Sequence, residues 1–287
     1  MNRLLGIVLV AISAASFGTL AILGRYAYAD GLDAPTILFL RFSLAALVLA
    51  PVLIARRQAR PPASAVLRLV GMGAIGYVGQ AMAYLTALKY ASSGLVALLL
   101  YLYPIFVAVL SATVLRQKIT RATAWALALA VFGLALTVGP EGGQLIGMLL
   151  AIAAALIYSV YILVGTQVLR QVSPLLASTL IFGSAGAASG LLMLVGGPHW
   201  PASPAGWGTI AAIVILATVV PVLTFLTGLE RIGPTNAALL STLEPAVTVL
   251  LAAALLGETL KPLSLVGGAL ILIAVALLTR HALRGQG

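Results

Sequence analysis

Cysteine is absent from the 287 residues. That excludes disulfides, thiolate metal sites and cysteine nucleophiles. Charge is nearly as scarce, at 8% of residues against roughly 25% in a soluble domain. The two histidines, His199 and His281, fall in a gap between apolar runs and in the tail. No HExxH, GxSxG, P-loop or GxGxxG stands anywhere, so enzyme signatures are missing and an ATP-driven pump is excluded for this chain alone. Neither a metal nor a cofactor is expected.

What the chain has in excess is apolar surface. It is 62% hydrophobic, with a mean hydropathy of +1.16, and such a surface must face lipid. A spanning helix takes about 20 apolar residues. Ten such runs stand here: Leu4–Leu23, Ala34–Ala55, Leu69–Leu88, Ser93–Leu115, Ala122–Val138, Leu145–Leu169, Leu175–Val195, Gly206–Leu229, Thr235–Leu256 and Leu263–Thr279. They are too long, too rich in Ala and Leu, and not alternating, as the strands of a membrane barrel would be. Met1–Arg3 followed by an apolar stretch mimics a signal peptide. The stretch runs on to Leu23, so it reads as an uncleaved first helix.

The net charge of +10 first suggests nucleic acid. The cations, however, crowd alternate gaps between the runs. Arg3; Arg56, Arg57, Arg60 and Arg68; Arg116, Lys118 and Arg121; Arg170; Arg231; and Arg280 and Arg284 all fall on one side. The other side has Arg25, Lys89 and Lys261 against Asp30, Asp33, Glu141 and Glu258. By the positive-inside rule the first side is cytoplasmic, and both termini with it. Topology therefore accounts for the charge, and no basic domain is left to bind nucleic acid.

The chain also repeats itself. A shift of 141 residues places Gly6 on Gly147, Leu85-Thr86 on Leu226-Thr227, Ala97-Leu98-Leu99 on Ala238-Leu239-Leu240, and Pro104 on Pro245. From Ala83 to Leu115 about a third of the positions match without a gap. Five helices per copy is an odd number, so the second copy enters the membrane from the opposite side. Inverted repeats with a site at their interface are a transporter architecture. The fold expected is an all-α membrane protein, ten transmembrane helices in two inverted five-helix repeats around a central cavity. The repeats are placed at residues 1–140 and 141–287.

The stretches Ala83-Tyr84-Leu85-Thr86-Ala87-Leu88-Lys89-Tyr90 through Tyr103-Pro104, and Phe225-Leu226-Thr227-Gly228-Leu229 through Leu243-Glu244-Pro245 and Leu256-Gly257-Glu258, carry a resemblance. Together with Leu40-Arg41-Phe42, they resemble the two EamA repeats of the drug/metabolite transporter superfamily. Length and tyrosine content are similar to its YddG-type exporters of amino acids from bacteria. Arg116-Gln117 stands where the second repeat has Gly257-Glu258, so that glutamate occurs in one half only. The resemblance implies helices 1, 3, 4, 6, 8 and 9 around the cavity, alternating access by rocking of the halves, export as the direction, and the inner membrane as the location.

Two charges lie clearly within the runs, Arg41 and Glu244. Intramembrane charges are costly and face protein or water. Glu244 precedes Pro245, which donates no N–H. It reads as a proton site or a ligand for an ammonium group, or else as a protonated carboxyl bonded to a neighbouring helix. Arg41 could bind a substrate carboxylate. The favoured reading is structural, with Arg41 snorkelling or holding Asp30 or Asp33 on a peripheral helix. Tyr77, Gln80 and Tyr84 form a polar-aromatic stripe at helical spacing, as do Tyr158 with Tyr161 and Ser241 with Glu244. Tyr101 and Tyr103 flank the kink expected at Pro104. These nine residues are expected to line a wet, substrate-binding cavity. Tyr26, Tyr28, Tyr90, Trp200 and Trp207 fit interfacial belts instead. Pro104, Pro221 and Pro245 are candidate hinges. Gly186 and Gly190, spaced as GxxxG, are expected to pack helices within a monomer.

The reading is a secondary transporter of small metabolites, amino acids first and aromatic ones included, with protons as a candidate coupling ion. The alternatives are drugs or other metabolites on the same fold, or a channel or other non-transport membrane protein.

Overall fold

Helix starts in this chain are written by a recurring device, a small oxygen-bearing side chain at the cap followed by proline in the first turn. Asp33 accepts the Thr36 N–H at 3.0 Å, with Pro35 in the first turn. Ser173 accepts that of Leu176 at 3.2 Å, just before Pro174. Ser203 accepts that of Gly206 at 3.1 Å, just before Pro204. The cap fills one orphan donor, and proline spends its missing N–H where no helical bond was due.

The computed structural model describes residues 2–56, 61–114, 121, 124–125, 128–129, 132–133, 136, 142–168, 171–225, 227–228, 240–241, 243–259 and 262–284. Among them there is no strand. The helices are α1 Asn2–Gly18, α2 Leu20–Ala29, α3 Ala34–Ala55, α4 Ala63–Gly71, α5 Val78–Ala87, α6 Ser93–Leu100, α7 Tyr103–Val114, α8 Gly142–Val168, α9 Pro174–Gly196, α10 Pro204–Val214, α11 Leu243–Leu256 and α12 Pro262–Arg284. A π-helical turn, Met72–Tyr77, joins α4 to α5, and a second, Ile215–Val219, continues α10. Six helices of the described residues are long and apolar enough to cross a membrane, and shorter apolar ones accompany them.

The second run is one helix with the bounds expected, Ala34–Ala55. The first breaks at Thr19 and resumes to Ala29, so Arg25 rides on a helix and not in a gap. The fourth breaks at Tyr101 and Leu102, just before Pro104. There Tyr101 and Leu102 donate to the carbonyls of Leu98 and Leu99, three residues back, which tightens the turn. The fifth run, Ala122–Val138, falls largely outside the described residues, as does the start of the ninth.

Helix α3 lies along α9, its counterpart under the 141-residue shift. The approach is close because α9 has no side chain where they meet. A Cβ on Gly186 would stand 2.6 Å from Ser43 Oγ, and one on Gly190 would stand 2.9 Å from Phe39. The GxxxG pair thus packs helices within the chain. Phe42 of α3 stacks on Phe182 of α9 with ring centroids 5.9 Å apart. Helix α8 packs on α5, α6 and α7, and α11 on α1 and α6. The two π turns are also related. The shift that aligns the sequence carries Met72–Tyr77 onto residues 213–218, across the second π turn. Such turns widen the helix and are frequent at functional sites.

Candidate functional site

Between these helices lies a cavity of about 280 Å³. Its wall contains Tyr77, Gln80, Tyr84, Tyr101, Tyr103, Tyr158, Tyr161, Ser241 and Glu244, together with Arg41. Tyr77 stands at the end of the first π turn, and Gln80 and Tyr84 follow on α5. Tyr101 sits in the break between α6 and α7, its N–H closing the last turn of α6 on the Leu98 carbonyl. Tyr158 and Tyr161 face inward from α8.

Aromatic rings run in a continuous chain that starts on Phe42, buried behind the wall, and continues through the tyrosines that line it. Phe42 meets Tyr77 at 4.9 Å between centroids, and Tyr77 meets Tyr161 at 5.7 Å. Tyr161 stacks on Tyr158 at 5.8 Å, Tyr158 meets Tyr103 edge-on at 4.9 Å, and Tyr103 meets Tyr101 at 5.7 Å. Ring contacts of this kind rigidify as well as bury. A chemical group stands at each end. The Arg41 guanidinium lies 5.1 Å from the Phe42 ring centroid, and the Tyr101 hydroxyl donates to Glu244 Oε2 at 3.0 Å.

Arg41 holds neither Asp30 nor Asp33. Asp30 accepts from the Ser203 N–H at 3.3 Å and from its hydroxyl. Asp33 caps α3 and sits 3.5 Å from His199 Nδ1. Both carboxylates fasten the loop before α10 to the loop before α3. Arg41 instead donates from Nε to Thr218 Oγ1 at 2.9 Å and from an Nη to the Ala217 carbonyl at 3.4 Å. It does not snorkel, being 3% exposed. Its helix lies against α9 and α10 as well as α5, which makes it central and not peripheral.

The proline positions explain two of these bonds. A proline at position i leaves the carbonyl of i−4 without a helical donor. Pro221 leaves Ala217, which Arg41 takes. Pro245 leaves Ser241, whose carbonyl accepts the Tyr101 hydroxyl. Pro221 in turn accepts from Ser13 Oγ at 2.8 Å, which ties α1 to the same kink. Pro104 is the second residue of α7, directly after the break.

Phe42, Phe182 and Thr218 complete the site and were not foreseen. Phe182 was within reach of the repeat, since the shift that pairs Pro104 with Pro245 pairs Arg41 with Phe182. Thr218 gave no signal, because one threonine in an apolar run looks like filler until the π turn aims it.

Glu258 is far from the cavity wall. It accepts from the Ser93 N–H at 2.7 Å and the Ser93 hydroxyl at 3.0 Å, and lies 3.4 Å from an Arg25 nitrogen. Arg25 also donates to the Ala91 carbonyl at 2.6 Å. One carboxylate thus joins α2, the start of α6 and the end of α11. Tyr26, Tyr90, Trp200 and Trp207 are exposed, as interfacial residues are.

An all-helical chain with several membrane-length helices around a polar-aromatic cavity is built as a membrane transporter. The sequence model of the EamA-like transporter family matches residues 4–139 and again residues 145–280, and the chain belongs to that family. It is 26% identical over 272 residues to an "Uncharacterized transporter" of Archaeoglobus fulgidus, covering 95% of each chain. It is 25% identical over 276 residues to "Uncharacterized transporter YcbK" of Bacillus subtilis, covering 91% of this chain and 88% of that one. A crystal structure of a protein 24% identical superposes with a TM-score of 0.67, covering 99% of both chains. At that identity the likeness speaks for the fold alone.

Proposed function

We propose that the chain is a secondary transporter that exports small metabolites by alternating access, with amino acids, aromatic ones included, as the first cargo class. The observation that carries this reading is the cavity itself. It is lined by a chain of tyrosine rings with Arg41 and Glu244 beside them, and its volume of about 280 Å³ lies at the lower edge of the roughly 300–1,000 Å³ of small-molecule sites. Tyrosine faces suit an apolar or cationic side chain.

The architecture proposed is ten helices in two inverted repeats, residues 1–140 and 141–287, in a bacterial inner membrane with both termini cytoplasmic. The twofold match of the family's sequence model and the paired π turns support the repeat. Pro104, Pro221 and Pro245 are the proposed hinges, and the nine polar and aromatic residues, Glu244 among them, form the substrate site. The chain acts as a monomer without a cofactor, and protons are the candidate coupling ion.

Uptake and counterflow of a labelled amino-acid panel in proteoliposomes, with and without a pH gradient, test this. Saturable flux with trans-stimulation is expected. Flux without saturation or counterflow would make the protein a channel, and no flux for any amino acid would remove that cargo class. Glu244→Gln is expected to abolish the response to the gradient. A variant that keeps both rate and pH response would leave Glu244 a structural role only.

A further inference from the structure

We infer that Arg41 is the carboxylate anchor of the cavity, and that Arg41 and Glu244 together select cargo carrying both a carboxylate and an ammonium group. The inference rests on the transport reading above and deepens it.

A guanidinium carries five N–H donors. Among the described residues its hydrogen bonds go to Thr218 and the Ala217 carbonyl, and no carboxylate lies within ion-pair reach. The residue is 3% exposed and lines the cavity. Its remaining donors therefore turn toward the cavity and not toward bulk water. A buried cation without an anion is expensive, and one retained at membrane depth marks a ligand site. The bonds from Nε and one Nη also fix the plane of the fork. A carboxylate is the anion that matches such a fork with two parallel bonds.

The second half of the selection is charge balance. A phosphorylated cargo would bring more negative charge than one arginine answers, into a cavity that already contains the Glu244 carboxyl. An amino-carboxylate has no net charge and carries both groups on one carbon, one to answer Arg41 and one to answer Glu244, which line the same cavity. The tyrosine rings of the wall then take the apolar side chain. This assigns the structural arginine of the sequence reading a second role, since the contacts that hold it to Thr218 also aim it.

The test needs no variant at first. Phenylalanine, phenylalaninamide and 3-phenylpropionate share one ring and differ only in the charged groups. Each is offered to the purified wild-type protein, once as competitor of labelled phenylalanine flux in proteoliposomes and once in thermal-shift titration in detergent. Phenylalanine is expected to act at about tenfold lower concentration than either analogue, the scale of one lost charge-assisted pair. In Arg41→Gln the advantage over the amide is expected to vanish while the advantage over 3-phenylpropionate persists. Equal potency of phenylalanine and its amide on the wild type would overturn the inference while leaving transport standing. Selective binding without flux would sustain Arg41 as anchor and sink the transport reading. No binding and no flux would overturn both.

Discussion

Arg41 donates to the carbonyl of Ala217, the group that Pro221, four residues on, leaves without a helical donor. Tyr101 does the same for Ser241 beneath Pro245. Each proline-weakened helix after residue 200 is thus gripped by a side chain from before residue 110. A helix ladder bond is replaced by a bond that a side-chain rotation can release. A net hydrogen bond is worth about 1 kcal/mol, so such kinks can change partners at modest cost, which a covalent or ladder constraint would not allow.

Thr218→Val keeps the shape and deletes the hydroxyl that holds Arg41 Nε. The guanidinium loses its better-placed partner and the precision of its aim. The expected outcome is a protein that folds, with half-saturation for amino acids raised about tenfold and maximal rate changed much less. Concentration-dependent flux in proteoliposomes reads the split. A fall in maximal rate at constant half-saturation would place Thr218 in the moving parts instead.

Tyr101→Phe removes the one hydroxyl that Glu244 and the Ser241 carbonyl share. A buried carboxyl that loses its donor costs about 1–3 kcal/mol. Turnover is expected to fall roughly 10-fold, with a lower thermal midpoint in detergent, while the rings of Tyr103 and Tyr158 keep the cavity shape. Unchanged turnover would mean that Glu244 finds water in place of the hydroxyl.

Gly73 and Gly183 separate packing from composition. A Cβ on Gly73 would fall 2.1 Å from Ser184 Oγ and 2.3 Å from the Ile181 carbonyl, whereas one on Gly183 meets nothing within 4 Å. Gly73→Ala forces the first π turn away from α9, and overpacking of this kind costs about 1–3 kcal/mol. Gly183→Ala is expected to be neutral. Thermal unfolding of the two variants in detergent checks the contrast, and equal midpoints would mean that α9 yields without cost.

Much of this was legible in the sequence because the bilayer removes choices. With water absent, only helices satisfy the backbone, so apolar length alone placed α3 and α9 to within a residue at each end. Polar side chains among apolar ones have to share a wet space, which brought Tyr77, Gln80, Tyr158 and Glu244 into one cavity. Which helix meets which was not legible. Helix α3 is apolar apart from Thr36, Arg41 and Ser43, so its pattern turns Arg41 toward protein without showing which helix it meets. Arg41 was for that reason given to Asp30 or Asp33, near in sequence, while its partner Thr218 lies in a π turn far along the chain. The interruption at Thr19 was equally silent, because threonine does not break a helix by its own propensity, whereas the one at Tyr101 and Leu102 stands just before Pro104, which the sequence marks as a hinge candidate.

Orientation in the membrane is the remaining expectation that one labelling experiment decides. The chain has no cysteine, so single introduced ones report cleanly. Arg56 follows α3 and is exposed; His199 lies in the loop before α10, with its side chain 56% exposed. The charge argument places Arg56→Cys inside and His199→Cys outside. A membrane-impermeant maleimide on intact cells is expected to label His199→Cys at once and Arg56→Cys only after permeabilisation. The reverse pattern would turn the molecule over, and direction of transport would have to be assigned afresh from the flux data.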